Sequence, residues 1–147
     1  MPKIFNTSWL AVIAATLVFF IFGWVWYGFI FNEAWMAAEG ITQEIADARL
    51  AEMGMAKWFF FALLITLAQA IGLLMVLHIA GAKRIKASLK YAFWLCVTIV
   101  LPLIAYACVY TGYPLSGYLI DAGHLTIGYL LMAAIYAAFR GRGAIAA

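Results

Sequence analysis

The chain of 147 residues carries a net charge of +3, with 69% apolar and only 10% charged residues. Soluble domains are nearer half apolar and a quarter charged, so a water-soluble chain of this length could not bury so much apolar surface. The composition therefore excludes a soluble domain and predicts a protein whose solvent is lipid.

Four apolar runs follow one another along the chain, and each is long enough to cross a bilayer. About 20 apolar residues in a helix span roughly 30 Å of hydrocarbon, and backbone groups in lipid need the internal hydrogen bonds of a helix. We therefore predict an all-α fold, an integral membrane four-helix bundle forming a single domain over residues 1–147. The predicted spans are Trp9 to Phe31, Trp58 to Ala80, Tyr91 to Thr111 and Leu119 to Phe139.

The first apolar run is predicted to be a retained membrane span. Signal-peptide cores reach about 15 residues and end at a small-residue cleavage site. The run from Trp9 to Phe31 is longer and ends in bulky aromatic side chains, which do not form such a site.

The connection between the first two spans, Asn32 to Ala56, is the one sizeable polar segment of the sequence. Thr42 is a suitable N-cap and Gly54 a suitable stop for a short helix. We predict an amphipathic helix there that lies on the membrane surface, either as a lid or partner site or as a capped connector resting on lipid. The residues that share its apolar face are Ile41, Ile45 and Ala48.

The basic residues are unevenly distributed between the two ends of the predicted bundle. Seven of the nine lie in the N-terminus, the second connection and the C-terminal tail, and the other two lie at the first connection. Because basic residues concentrate on the cytoplasmic side of membrane proteins, both termini are predicted to be cytoplasmic and the first connection external. The seven are Lys3, Lys83, Arg84, Lys86, Lys90, Arg140 and Arg142.

The fourth span carries an acidic residue and a histidine on one helix face. Ionisable residues inside membrane helices are costly and are therefore candidates for function. Asp121 and His124 share a face with Gly117 and Gly128, and these glycines would allow another backbone to approach closely. The pair could relay protons or hold a cation near the external end of the span. In the alternative interpretation Asp121 caps the helix and His124 is a packing residue.

The second and third spans carry weaker polar candidates. Gln69 lies near the middle of the second span, where an amide usually bonds across a helix interface, so packing and ligand binding are both open. Pro102 cannot donate to the carbonyl oxygen of Thr98, so the third span is predicted to kink and this carbonyl is a candidate for lining a cavity. Tyr106 lies beyond the kink in a tyrosine stripe that either joins a pathway or anchors the membrane interface.

The sequence contains no motif typical of an enzyme, cofactor site or metal site. The CxxC, HExxH, GxSxG and phosphate-loop patterns are absent, and His78 and His124 lie at opposite ends of the predicted bundle. Cys96 and Cys108 are separated by about 18 Å along one predicted helix, which is too far for a disulfide bond. We therefore predict no enzymatic activity, cofactor or metal.

Two segments of the sequence resemble those of a known family. Residues 23–28 read GWVWYG, and Phe31 and the segment AWM at residues 34–36 follow. This pattern resembles the first-span signature of the bacterial membrane family called domain of unknown function 1761. Residues 119–125, LIDAGHL, are similar to the last helix of that family, with Asp121 at a position where asparagine is more usual. The resemblance covers nearly the whole chain and implies a bacterial inner-membrane protein of four helices, without implying an activity.

Two functions fit these observations. In the first, the chain is a non-enzymatic protein of the bacterial inner membrane that forms a small-solute or ion pathway as a homo-oligomer, because four short helices rarely enclose a pathway alone. The residues of that pathway would be Asp121, His124, Gln69, Thr98 and Tyr106. In the second, the chain is an interaction subunit or lipid-binding scaffold whose polar groups hold helices together. The expected partners are membrane lipids, further copies of the chain and, for the pathway, a small molecule or ion, but not nucleic acid.

Overall fold

The computed structural model describes residues 3–145, with side chains from residue 4 to residue 140, so the side chains of Lys3 and Arg142 lie outside the described part. The chain begins with a short antiparallel hairpin and continues as helices. The hairpin consists of β1 (Lys3–Ile4) and β2 (Thr7–Ser8), and the helices are α1 (Trp9–Val25), α2 (Asn32–Glu39), α3 (Gln43–Met53), α4 (Met55–Ile79), α5 (Ile85–Leu95), α6 (Leu101–Tyr110) and α7 (Leu115–Ile145). Two π-helical turns, Trp26–Ile30 and Cys96–Val100, follow α1 and α5.

Four helices in the described part are long and apolar enough to cross a membrane, which confirms the predicted helical membrane bundle. The third begins at Ile85 and not at Tyr91, because Lys86 and Lys90 continue the helix. Lysine is a good helix former and can extend its charged end toward water, so hydropathy alone places this boundary too late. The four are Trp9–Ile30, Met55–Ile79, Ile85–Tyr110 and Leu115–Arg140.

The first connection contains two short helices, of which the sequence analysis predicted one. The predicted helix is α3: the hydroxyl of Thr42 accepts a hydrogen bond from the backbone N–H of Ile45 at 3.3 Å, and the helix ends at Gly54. Both predicted caps are therefore confirmed. The additional helix, α2, ends at Gly40, whose φ of 64° is a left-handed conformation that glycine adopts without strain.

The hydrophobic core occupies one half of the bundle, at the end where the hairpin and the α4–α5 connection lie, which we call the hairpin end. Tyr136 is fully buried there, and its hydroxyl donates to the carbonyl oxygen of Ala70 at 2.8 Å. The two cavities described below lie in the opposite half, toward the end that carries α2 and α3. The buried core residues of the long helices are Ala11, Val12, Ala15, Phe19, Ala70, Leu73, Leu74, Leu77, Ala92, Tyr129, Met132, Ala133 and Tyr136.

Arg140 ties the hairpin to the rest of the hairpin end. Its guanidinium group donates to the hydroxyl oxygen of Thr7 at 3.2 Å and also to the carbonyl oxygen of Ala82. The ring of Phe5 stacks on His78 with ring centroids 5.5 Å apart. The hairpin therefore closes this end of the bundle, which strengthens the contrast with the other half.

The third span is interrupted where the sequence predicts a kink. The backbone N–H of Leu101 donates to the carbonyl oxygen of Cys96 across the π-helical turn Cys96–Val100. Pro102, which follows directly, has no N–H to donate. The π-helical turn is a local adjustment of the backbone next to the missing donor, and such turns are a recognised cause of kinks.

Aromatic rings lie directly against Gly117, Gly123 and Gly128 of α7. A Cβ atom on Gly128 would overlap the ring of Phe19, and one on Gly117 would overlap the ring of Tyr113. The close approach of another helix that these glycines were predicted to allow is present at Gly128, where the ring of Phe19 on α1 occupies the space. The absence of side chains at these positions allows α1 to pack closely on α7.

We expect Gly128→Ala to lower the free energy of unfolding by about 1–3 kcal/mol, because the added methyl group overlaps the ring of Phe19 and overpacks the α1–α7 contact. Unfolding in detergent, followed by circular dichroism, measures the change. Gly72→Ala in α4 is the matched control, because a Cβ atom there meets no described atom within 4 Å. Equal losses of stability in the two variants would contradict this account of the packing.

Candidate functional site

The carboxylate of Asp121 accepts hydrogen bonds from two tyrosines. The hydroxyl of Tyr27 donates to Oδ1 and the hydroxyl of Tyr113 donates to Oδ2, each at 2.9 Å. Hydrogen bonds to a charged acceptor are stronger than neutral ones, so this carboxylate holds the end of α1 and the loop before α7 against α7. The capping interpretation of Asp121 is wrong, because α7 begins at Leu115 and Asp121 lies well inside the helix.

The π-helical turn Trp26–Ile30 directs the aromatic residues at the end of α1 toward α7. The N–H of Phe31 donates to the carbonyl oxygen of Trp26 at 2.9 Å, one residue wider than an α-helical bond. The indole N–H of Trp26 donates to the carbonyl oxygen of Ile120 at 3.1 Å. Its ring lies 3.0 Å from a Cβ atom built on Gly123. The sequence analysis missed this turn, although such turns are frequent at functional sites.

The imidazole of His124 lies in a box of aromatic rings. Phe19 and Phe22 stack on it with centroid distances of 5.0 and 5.4 Å, and Tyr27 meets it edge-on at 4.8 Å. Its Nε2 atom is buried without a hydrogen-bond partner among the described residues, and it lies 3.0 Å from a Cβ atom built on Gly23. A buried polar atom without a partner is costly, so its presence here is a signal of function.

Tyr27 connects Asp121 with His124. Its hydroxyl donates to the carboxylate, while its ring contacts the imidazole, and no direct hydrogen bond joins Asp121 to His124 in the described part of the chain. The sequence analysis placed the acid and the histidine in one polar site, and the structure brings them together through a residue that was not selected. The position of Tyr27 in the aromatic segment at residues 23–28 was the sequence signal that could have identified it as a site residue.

A cavity of about 470 Å³ opens beside His124, between α1, α4 and α7. Small-molecule sites are commonly 300–1,000 Å³ in volume and mostly apolar, so both its size and its walls fit a ligand site. We call it the aromatic cavity. Its aromatic walls are Phe19, Phe20, Trp24, Tyr27, Trp35 and Trp58, and its polar side chains include Thr66, Gln69 and His124.

Gln69 contributes an unpaired acceptor to the aromatic cavity. Its Oε1 atom is buried and has no hydrogen-bond partner among the described residues, whereas the nearby Thr66 hydroxyl donates to the carbonyl oxygen of Ala62 at 2.8 Å. The Gln69 and Asp121 side chains both point into protein, as the cost of exposing a polar group to lipid predicts. The expected bond across a helix interface does not involve the Oε1 atom of Gln69.

The two candidates on the third span lie outside the aromatic cavity. Thr98 is exposed, and its hydroxyl donates to the carbonyl oxygen of Trp94 at 2.6 Å. Tyr106 is 59% exposed and stacks on Tyr110 with centroids 5.4 Å apart. The structure therefore brings Gln69 close to the fourth-span pair and leaves these two side chains on the outward surface of the bundle.

A second cavity of about 530 Å³ lies beneath α2 and α3, beside the start of α4. It shares Trp24, Trp35 and Trp58 with the aromatic cavity, so these indole rings lie where the two spaces meet. Its other walls are more polar and include Asn32, Gln43, Asp47 and Arg49. We call it the vestibule.

One family model covers most of the chain. Described as a protein of unknown function (DUF1761), it matches residues 10–137. The matched part includes every residue of the aromatic cavity named above. No curated protein and no solved structure matches the chain.

We expect Asp121→Asn to lower the pKa of Tyr113, which lies in the loop between the third and fourth spans. Burial, and then the hydrogen bond to Asp121 and its charge, raise the pKa of Tyr113 above its ordinary value. The variant removes the charge and leaves the burial, so the pKa falls toward that of a free tyrosine. A ¹³C NMR titration of labelled tyrosine in nanodiscs measures it, with Tyr113→Phe to assign the signal. An unchanged titration would contradict the hydrogen bond.

Because the pKa of Tyr113 is raised in the folded chain, the free energy of unfolding depends on pH in the alkaline range. The contribution of Tyr113 to the free energy of unfolding is complete below its unfolded pKa, near 10. It is lost as the pH rises from there through the folded pKa, because the unfolded chain ionises first. Tyr113→Phe should therefore lose less stability above about pH 10 than the unaltered chain in parallel unfolding measurements. Identical losses would show that Tyr113 does not contribute.

Proposed function

The chain belongs to the DUF1761 family of proteins of unknown function, and we propose that it is a membrane protein that binds a small, largely apolar solute as part of a small-solute pathway. The aromatic cavity of about 470 Å³ carries this proposal. Two buried polar atoms that have no hydrogen-bond partner among the described residues, Nε2 of His124 and Oε1 of Gln69, belong to its walls. Apolar walls with a few polar groups that orient the ligand are typical of small-molecule sites.

The exposure of the wall residues supports entry from the side of the bundle. Trp24 is 58% exposed, Trp58 45% and Ile65 60%, and all three line the aromatic cavity. They belong to α1 and α4, so the opening lies between these two helices and would face the membrane. A solute dissolved in the lipid would then reach His124 without passing through the packed core.

The chemistry of the walls supports a solute over an inorganic ion. A bare ion needs oxygen atoms to replace its hydration shell, but most of the walls consist of rings and aliphatic groups. Both carboxylate oxygens of Asp121 already accept hydrogen bonds from tyrosines. An ion pathway therefore has less support than a small-solute pathway.

The outward surface of the third span favours the alternative function of an interaction subunit or lipid-binding scaffold. Leu103 is 66% exposed, Val109 75% and Tyr110 75%, and all three lie on α6. Such an apolar face fits lipid, a further copy of the chain or another membrane protein. A homo-oligomer would use this face and leave the opening between α1 and α4 free.

We expect Ala62→Phe to weaken the binding of 1-bromonaphthalene about tenfold or more, because the added ring fills space in the aromatic cavity that Ala62 lines. The bromine quenches tryptophan fluorescence, so a saturable quenching curve in nanodiscs measures binding. Leu64→Phe is the matched control on the exposed side of the same helix and should leave the curve unchanged. Quenching that does not saturate, or that is equal in both variants, would rule out a binding site in this cavity.

The proposed setting is the bacterial inner membrane, with both termini and residues 81–90 on the cytoplasmic side, where basic residues concentrate. In a background of Cys96→Ala and Cys108→Ala, Lys86→Cys should resist a membrane-impermeant maleimide in intact cells. Glu44→Cys, in the first connection, should react under the same conditions. The opposite pattern of labelling would reverse the proposed orientation.

A further inference from the structure

The aromatic cavity has the composition of a site for a positively charged ligand. A cation is attracted to the face of an aromatic ring, most strongly to that of tryptophan, and Trp24, Trp35 and Trp58 all line this space. Its described walls include no lysine or arginine. We infer that the solute is a small organic ammonium ion with an apolar or aromatic body. This inference rests on the proposed function and adds the chemical class of the solute.

Tyr27 strengthens the attraction, because a carboxylate stands behind its ring. The hydroxyl of Tyr27 donates to Oδ1 of Asp121 at 2.9 Å, and the ring itself lines the aromatic cavity. A phenol that donates to an anion carries more electron density in its ring, so its face attracts a cation more strongly than that of a free phenol. The charge of Asp121 therefore reaches the cavity without the carboxylate lining it.

Gln69 supplies the complement to an ammonium N–H group. Its Oε1 atom is a buried acceptor without a partner among the described residues. An ammonium ion that carries hydrogen would donate to this oxygen and satisfy it. The apolar body of the same ligand would then occupy the space between Phe20 and Ile65, which also line the cavity.

The first connection, which lies next to the aromatic cavity, carries an excess of negative charge that would attract a cationic ligand. Five of the six acidic residues of the chain lie in the first connection, which together with its edge carries two basic residues, Arg49 and Lys57. Asp47 and Arg49 both line the vestibule, which meets the aromatic cavity at the three indole rings, so the negative excess comes from the other acids of the first connection. A local excess of negative charge raises the concentration of cations near the vestibule. The five acids of the first connection are Glu33, Glu39, Glu44, Asp47 and Glu52.

Two probes of equal shape, one charged and one neutral, test whether the aromatic cavity prefers a cationic ligand. Benzyltrimethylammonium and the uncharged neopentylbenzene differ in one atom, nitrogen in place of carbon. In nanodiscs of phosphatidylglycerol, we expect the full-length chain to bind the cation about tenfold more tightly than the neutral probe in isothermal titration calorimetry, since several rings each contribute. Probe binding to the Ala62→Phe variant and to empty nanodiscs measures the part of the signal that does not come from the aromatic cavity.

The outcomes separate this inference from the proposed function. Equal or tighter binding of neopentylbenzene, with both probes sensitive to Ala62→Phe, would overturn the inference and leave the proposed function standing. If neither probe shows saturable binding that depends on Ala62, both fail. Trp58→Leu provides a second variant at an exposed ring, and it should weaken the cation more than the neutral probe. An equal effect on both probes would count against cation recognition.

Ammonium groups occur in free amines and also in lipid headgroups, so a further arm identifies the source. Phosphatidylethanolamine added to the nanodiscs would compete with benzyltrimethylammonium if the natural ligand is a lipid. Undiminished binding of the probe would indicate a free organic ammonium ion. Both outcomes support a site for ammonium groups, because both require the cavity to bind the cation first.

Discussion

The close contact between α1 and α7 determines the rest of the structure. Phe19 seats on Gly128 and Trp26 lies over Gly123, so the rings of α1 lean toward α7. Phe20, Gly23 and Trp24 of α1 line the space beside α4 at the end away from the hairpin and leave it open. The aromatic cavity is the consequence of this asymmetry, and the closed core at the hairpin end limits it to one half of the bundle.

A carboxylate inside this bundle needs hydrogen bonds, since an unpaired charge in low-dielectric surroundings is costly. Asp121 obtains them from Tyr27 and Tyr113, which fixes the end of α1 and the loop before α7. The same bond orients the ring of Tyr27, which contacts His124 and lines the aromatic cavity. One interaction therefore satisfies a buried charge and shapes the wall of the candidate site.

Much of the architecture could be predicted because it depends on local sequence. Run length and hydropathy identify the four helices, and the caps at Thr42 and Gly54 follow from the chemistry of neighbouring residues. The inward direction of Gln69 follows from the cost of exposing an amide to lipid. The predicted helix boundaries were less accurate, as at Ile85, because a lysine lowers the local hydropathy without ending the helix.

The sequence by itself determined the family, the helical membrane bundle and the choice of Asp121, His124 and Gln69, since these depend on composition, pattern and the cost of polar groups in lipid. Only the tertiary structure decided what these residues contact. The partner of Asp121 on the first span is Tyr27, 94 positions away in the chain, and no local pattern encodes such a pairing. The rotation of each helix, which leaves Thr98 on the outward surface, likewise depends on how rings and glycines of distant segments fit together.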